Sequence, residues 1–237
     1  MLNKETRDQI VALIKREVVP AIGCTEPIAV ALCVAKATET LGTMPESIDV
    51  LLSGNMLKNA MGVGIPGTGM SGLPIAIALG AIVGKSEYQL EVLKDSTPEH
   101  VEKGKAYIAE KRINISLKEN ITEKLYIEVT VKAGDNTASA IIAGGHTHFI
   151  SITHNGEVLL SSKQKNGTQM ENKDIELSLR MVYEFADTVP IEEIEFINEA
   201  RRLNENASKK SLEGNYGHEL GKTLSRPLGR GIMGDSM

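Results

Sequence analysis

Hydrophobic residues recur along the first stretch at helical intervals. Ile10, Leu13, Ile14 and Val18 share one face, with Lys15, Arg16 and Glu17 between them. That spacing predicts an amphipathic helix over 8–19, closed near Pro20. After the loop Ala21 to Glu26, Pro27 opens a second helix that runs to Leu41 and stops at Gly42. Its opening run, Ile28 to Ala35, is apolar on all sides, which implies a buried helix. Ile48 to Leu52 reads as a short strand. A glycine-rich loop, Gly62 to Gly72, leads into another buried helix, Leu73 to Val83.

The pattern changes beyond residue 85. Thr97 as cap and Pro98 as first residue start a helix that reaches Lys111. Period-two alternation follows in Ile113 to Leu117, Lys124 to Val131, Thr137 to Ala143, His146 to Thr153 and Glu157 to Ser161. Gly134-Asp135-Asn136 and His154-Asn155-Gly156 supply turns between them. Helical spacing returns at Ile175, Leu179 and Val182, although the alternation from Ile175 to Met181 also suits a strand. Pro190 separates this segment from a helix over Ile191 to Ser208. The stretch from Gly214 to Met237 is glycine-rich and reads as loops, or as short helices that need a partner.

Together these elements predict an α+β protein, a mainly helical layer interrupted by an antiparallel α+β insertion. The expected parts are 1–85, helical and carrying the Cys and Gly-rich motifs; 86–165, the inserted α+β domain; and 166–237, a truncated helical continuation.

Composition narrows the functional classes. The chain has 237 residues, 31 acidic and 26 basic, for a net charge of −5. An acidic balance lacks the basic surface of a general nucleic-acid binder. Aromatics at 3% leave little for stacking bases. The most apolar stretch, Leu73 to Val83, is far too short for a membrane span. Two cysteines cannot make a disulfide framework, which predicts a reduced, cytoplasmic setting. Nor can they complete a four-thiolate metal site within one chain.

Three motifs could carry chemistry. Cys24 stands just before a helix start, where free N–H groups and the helix dipole favour a thiolate; it could equally be a small residue in a turn. Cys33 lies mid-helix among apolar neighbours and reads as packing. Gly62 to Gly72 offers backbone N–H groups to a carboxylate or phosphate, or makes a tight turn with close helix packing. Its Gly67-x-Gly69-x-x-Gly72 spacing imitates a dinucleotide fingerprint, but Gly64 and Pro66 spoil the strand that should precede it. Gly229-x-Gly231-x-x-Gly234 fits the same expression. Asn55, Lys58 and Asn59 share one face if their segment is helical, where they either contact a substrate or face solvent. His146 and His148 would share a strand face; they read as ordinary strand residues, with one His able to act as acid or base.

Several blocks, in this order, resemble the L-cysteine desulfidase family, whose members include proteins labelled serine dehydratase alpha chain-like. They are Val19 to Pro27 around Gly23-Cys24-Thr25-Glu26, Gly54 to Ala60, Val63 to Gly69, and Gly144-Gly145-His146-Thr147. The resemblance covers essentially the whole chain. It implies a β-eliminating lyase that converts L-cysteine or L-serine to pyruvate and ammonia, with sulfide also released from cysteine. It further implies an iron–sulfur (4Fe-4S) cluster held by three cysteines, whose open iron takes the substrate as a Lewis acid. Cys24 matches the first of those cysteines. Thr25, Glu26, Asn55, Asn59, Gly67, Thr68 and Gly69 become candidate substrate-binding residues. His146 and Lys58 become candidates for the base that removes the Cα proton.

Members of that family are longer and carry the other two cluster cysteines in a C-terminal half. The expectation is therefore the N-terminal half of such an enzyme, unable to hold the cluster alone. Its expected partners are a small amino-acid substrate and either the missing C-terminal half or further copies of itself, with no nucleic acid and no membrane. Two other readings stand beside it. One is a nucleotide- or phosphate-binding protein built on the Gly67–Gly72 loop, whose binding would survive replacement of Cys24. The other is a non-catalytic remnant or interaction protein that binds neither iron nor amino acid.

Overall fold

The computed structural model describes residues 2–162, 175–215 and 219–225. In chain order the helices are α1 (Lys4–Glu17), α2 (Thr25–Leu41), α3 (Gly54–Ala60), α4 (Leu73–Ile82), α5 (Pro98–Ala109), α6 (Leu179–Thr188), α7 (Ile191–Ile194), α8 (Ile197–Glu213) and α9 (Leu220–Ser225). The strands are β1 (Ser47–Leu52), β2 (Gly64–Ile65), β3 (Met70–Ser71), β4 (Ile113–Leu117), β5 (Tyr126–Ala133), β6 (Asn136–Ala143), β7 (Phe149–His154) and β8 (Glu157–Ser161). The protein is of the α+β class. The described residues from Pro20 to 162 form one compact unit, and 2–19 with those from 175 onward form another.

In the larger unit, six strands form a mixed sheet in the order β4-β1-β5-β6-β7-β8. Period-two alternation sends Ile48, Val50 and Leu52 of β1, Ile127, Val129 and Val131 of β5, and Ala138, Ala140 and Ile142 of β6 into the core. Helix α2 lies against β5 and β6. Every residue from Ile28 to Ala35 is fully buried, as an all-apolar helix requires. Each buried Ile, Leu or Val contributes roughly 1.5–3 kcal/mol of transfer free energy. Gly42 ends α2 at φ +79°, its N–H reaching Thr38 O at 3.0 Å, a conformation that disfavours residues with a Cβ.

Helix α4 packs on α2 through a stripe of small residues. A Cβ placed on Gly80 would stand 2.6 Å from Ala31 O, and one on Gly84 would stand 2.8 Å from Ala35 Cβ. The two approaches advance together by four residues. Helices α2 and α4 therefore run side by side in the same direction, with both N-termini at one end. Helix α5 covers the far side of α4, where Gly104 admits Ile75. Its start is the one the sequence predicts: Thr97 caps it, and the His100 ring returns the hydrogen bond in a capping box.

Three expectations are corrected. Strand β1 sits between β4 and β5, so no boundary falls at 85/86; a central strand cannot separate from its ladder partners. Among the described residues strand β4 pairs only with β1, and in parallel, because the chain between them crosses over through α4 and α5; the sheet is mixed rather than antiparallel. His146 and His148 lie in the turn before β7, not on a strand, so they do not share a strand face.

In the smaller unit, Ser178 caps α6 by accepting the Met181 N–H at 3.2 Å, which is why the helix starts at Leu179 and excludes Ile175. The helix expected over 191–208 is two, α7 and α8, interrupted at Glu195 and Phe196. Arg7 of α1 makes a two-pronged ion pair with Glu193, both contacts at 3.1 Å. Ile10 and Phe185 are its buried apolar residues among those described. The Gly229–Gly234 motif lies outside the described residues. Among the described residues no helix is long and apolar enough to cross a membrane.

Candidate functional site

Three separate sequence motifs converge at the N-terminus of α2. Cys24 is the N-cap residue and leaves the first N–H groups without a side-chain cap. Its Sγ–H donates to Glu26 Oε2 at 2.9 Å, and Thr25 Oγ1 donates to the same oxygen at 3.2 Å. The other oxygen, Oε1, accepts from Asn59 Nδ2 of α3 at 3.1 Å. The glycine-rich loop closes the third side. A Cβ on Gly23 would stand 3.0 Å from Cγ and Cδ of Pro66, and Gly23 already sits at φ +78°. Gly23 is therefore the residue that lets the Cys24 loop press against the Pro66 loop.

Electrostatics differ from the sequence-based expectation for Cys24. Its thiol is pushed up from its ordinary value, first by burial and then by the adjacent Glu26 carboxylate. The backbone N–H groups of Glu26 and Thr25 oppose this without reversing it. Glu26 is held below the usual carboxylate range, chiefly by the Cys24 hydrogen bond, with Asn59 and Thr25 assisting against burial. The pair rests as a thiol donating to a carboxylate. Cys33 is fully buried, its Sγ donating to Ala140 O at 3.2 Å, and burial pushes its thiol far upward. It faces the sheet and cannot join Cys24.

Helix α3 is the helix that the spacing of Asn55, Lys58 and Asn59 requires. Ser53 anchors it, accepting from Met56 N at 3.4 Å and donating to Lys124 O at 2.7 Å. Asn59 is half-buried against Glu26, while Asn55 and Lys58 are exposed. Asn55 borders a cavity of about 550 Å³ walled by Ser53, Leu117, Lys118 and Lys124, among others; Cys24 does not line it. The turn carrying His146 lies at the same end of the sheet, since Ala143 aligns with Tyr126 and Ser53 N bonds Tyr126 O. Among the described residues no hydrogen bond links His146 to Cys24, Glu26 or Asn59. His148 Nδ1 contacts Ala143 O at 2.9 Å and braces the turn.

Within the loop, Gly67 and Gly69 adopt φ +77° and +63°, and nothing lies within 4 Å of a Cβ built on either, so their backbone faces open space. Thr68 points inward: its Oγ1 donates to Ile65 O at 2.6 Å and accepts from Met70 N at 3.0 Å. Its hydroxyl holds the turn. The loop joins the antiparallel strands β2 and β3, not a strand to a helix as a dinucleotide fingerprint requires. Gly72, at φ +86°, then opens α4 beneath Met61 O.

Sequence reasoning missed one contributor and one role. Pro66 is the wall against which Gly23 closes, and Glu26, named only as a substrate-binding candidate, is the hub that joins Cys24 to Asn59. The Glu26–Asn59 pairing is long-range and has no local signal, whereas Gly23 next to Cys24 did mark an unusual backbone position. Among the described residues no group of three or more His, Cys, Asp or Glu side chains lies close enough to hold a metal ion.

Comparison with known proteins gives strong similarity over the full chain. It is 64% identical over 236 residues to a UPF0597 protein of Bacteroides fragilis, covering 100% of this chain and 55% of that protein. A UPF0597 protein of Bacteroides thetaiotaomicron is 63% identical over 231 residues, covering 98% of this chain and 54% of the relative. One from Porphyromonas gingivalis is 48% identical over 241 residues, covering 99% and 56%. The chain thus spans about half the length of the curated relatives it matches, and their names state no activity. No family model matches the chain, and no solved structure matches it.

Proposed function

We propose that this chain supplies the substrate-holding part of a β-eliminating lyase acting on L-cysteine or L-serine. One observation carries the reading: Cys24, Glu26 and Asn59 meet beside the Pro66–Gly72 loop, at the paired N-termini of α2 and α4. A substrate carboxylate suits that end, because uncapped N–H groups and two helix dipoles point there. The open backbone at Gly67 and Gly69 lets a ligand approach closely. Asn59 orients Glu26, and Glu26 keeps an acceptor 2.9 Å from the Cys24 sulfur for its proton.

Elimination removes the Cα proton and breaks the Cβ–S or Cβ–O bond. The leaving group departs as hydrosulfide or hydroxide, and the aminoacrylate takes up water to give pyruvate and ammonium. Lys58, exposed on α3, and His146, at the same end of the sheet, are the candidate bases. The described residues do not fit a whole four-iron cluster: Cys24 could give one thiolate, and Cys33 is turned into the sheet. The further ligands would come from the part of the longer relatives that lies outside this chain. We also read the α+β unit, which holds the described residues from Pro20 to 162, as inserted in the chain between α1 and α6–α9. Two unpaired thiols fit a reducing, cytoplasmic setting.

The test is anaerobic. The chain is supplied with the remaining segment of the Bacteroides fragilis relative, and sulfide and pyruvate are followed with L-cysteine and, separately, pyruvate with L-serine. Equimolar sulfide and pyruvate, abolished by Cys24→Ser and reduced at least ~10-fold by Asn59→Ala, is the expected result. Turnover indifferent to Cys24→Ser, or no turnover of either amino acid, overturns the proposal.

A further inference from the structure

The smaller unit carries an apolar surface larger than its own described residues cover. Helix α6 is strongly amphipathic. Arg180, Glu184, Asp187 and Thr188 occupy one side; Leu179, Met181, Val182, Tyr183, Phe185 and Ala186 occupy the other. Only part of that apolar side is used. Phe185 is buried and Met181 half-buried, whereas Leu179 is 86% exposed, Tyr183 73% and Val182 48%. With Ala186 they form an uncovered strip at i, i+3, i+4 and i+7, the spacing with which one helix receives another. Ile191, one turn beyond, is 66% exposed. Helix α8 runs for 17 residues with none buried. An isolated helix of that length is marginal in water, and most helical stability comes from packing an apolar face.

The lengths of the relatives indicate what covers this surface. Eight relatives, from 41% to 65% identical, are matched by this chain over 52–56% of their length each. Each therefore holds nearly half its length in a segment this chain does not match. We infer that the strip Leu179–Val182–Tyr183–Ala186, continued by Ile191, is the docking surface for that segment, which lays an apolar helix along α6. A membrane is a poorer occupant: the polar side of α6 has two acids against one base, the wrong balance for an anionic lipid surface. The inference rests on exposed faces and relative lengths, and does not depend on the lyase reading.

The test reads association only. The segment of the Bacteroides fragilis relative outside the match is co-expressed with this full chain and the product is sized by light scattering. A one-to-one complex is expected. The double substitution Leu179→Gln with Val182→Gln keeps helix-forming residues at exposed positions and should weaken the complex at least ~100-fold. Substituting Arg180→Gln on the opposite side should leave it unchanged, and circular dichroism of the free variants checks that both fold. The inference is overturned if no complex forms or if the segment binds the double variant as tightly as the parent. It is equally overturned if the chain alone makes a symmetric dimer that the same double substitution dissolves.

Discussion

Cys24 and Cys33 share a helix and differ in everything that governs thiol chemistry. Cys24 is partly exposed at the helix start, and Cys33 is sealed between α2 and the sheet. A thiol-specific reagent should modify one equivalent in the native protein and two in denaturant, with the native label mapping to Cys24 by mass spectrometry. Two labels before unfolding would contradict the packing of α2. The neighbouring glycine is the second residue-scale test. At Gly23 an added Cβ meets Pro66 at 3.0 Å and must adopt φ near +78°. Gly23→Ala should cost about 1–2 kcal/mol in urea unfolding, because both loops of the site would separate; under the proposed lyase function it should also weaken L-serine binding in calorimetry. The place of Cys24 at a helix start and the turn conformation of the Gly-rich loop were legible in the sequence. The burial that raises the Cys24 thiol was not, since helix position alone argues for the opposite shift.

At the scale of elements, the stripe of small residues between α2 and α4 sets where the site can form. Gly80→Ala gains up to ~1 kcal/mol of helix propensity. Against this, its Cβ would be forced to within 2.6 Å of Ala31 O, backbone that cannot turn aside. Overpacking of this kind costs about 1–3 kcal/mol, so the net effect is destabilising, measurable as a lower urea midpoint. Gly62→Ala serves as the contrast: nothing lies within 4 Å of its Cβ, and its midpoint should shift little. The helices themselves were predictable from apolar periodicity and from caps such as Thr97 and Gly42. Their parallel pairing was not, because it depends on where a second helix offers a matching groove.

For the whole molecule, Tyr107 is a useful reporter. It ties α5 to the entry of β1, its hydroxyl donating to Pro45 O at 2.9 Å, and it is buried. Burial pushes its phenol from the ordinary 10.0 up to about 12. The folded state therefore keeps the phenol proton where the unfolded chain begins to lose it. The contribution is complete below pH 10 and disappears as pH rises through about 12, with a total on the order of 2–3 kcal/mol. Urea midpoints measured between pH 8 and 11 should fall, and Tyr107→Phe should flatten that fall.

Much of the local order along the chain was decided by the sequence: which segments are mostly helical or extended, and which faces are apolar. Those features follow from periodicity, capping and turn residues acting over a few neighbours. The tertiary structure alone decided that β1 inserts between β4 and β5, erasing a boundary expected at 85/86. It alone turned His146 off the strand and made Glu26 the meeting point of Cys24 and Asn59. Strand order and side-chain pairing between distant segments depend on how whole faces are buried together, and no local pattern encodes them.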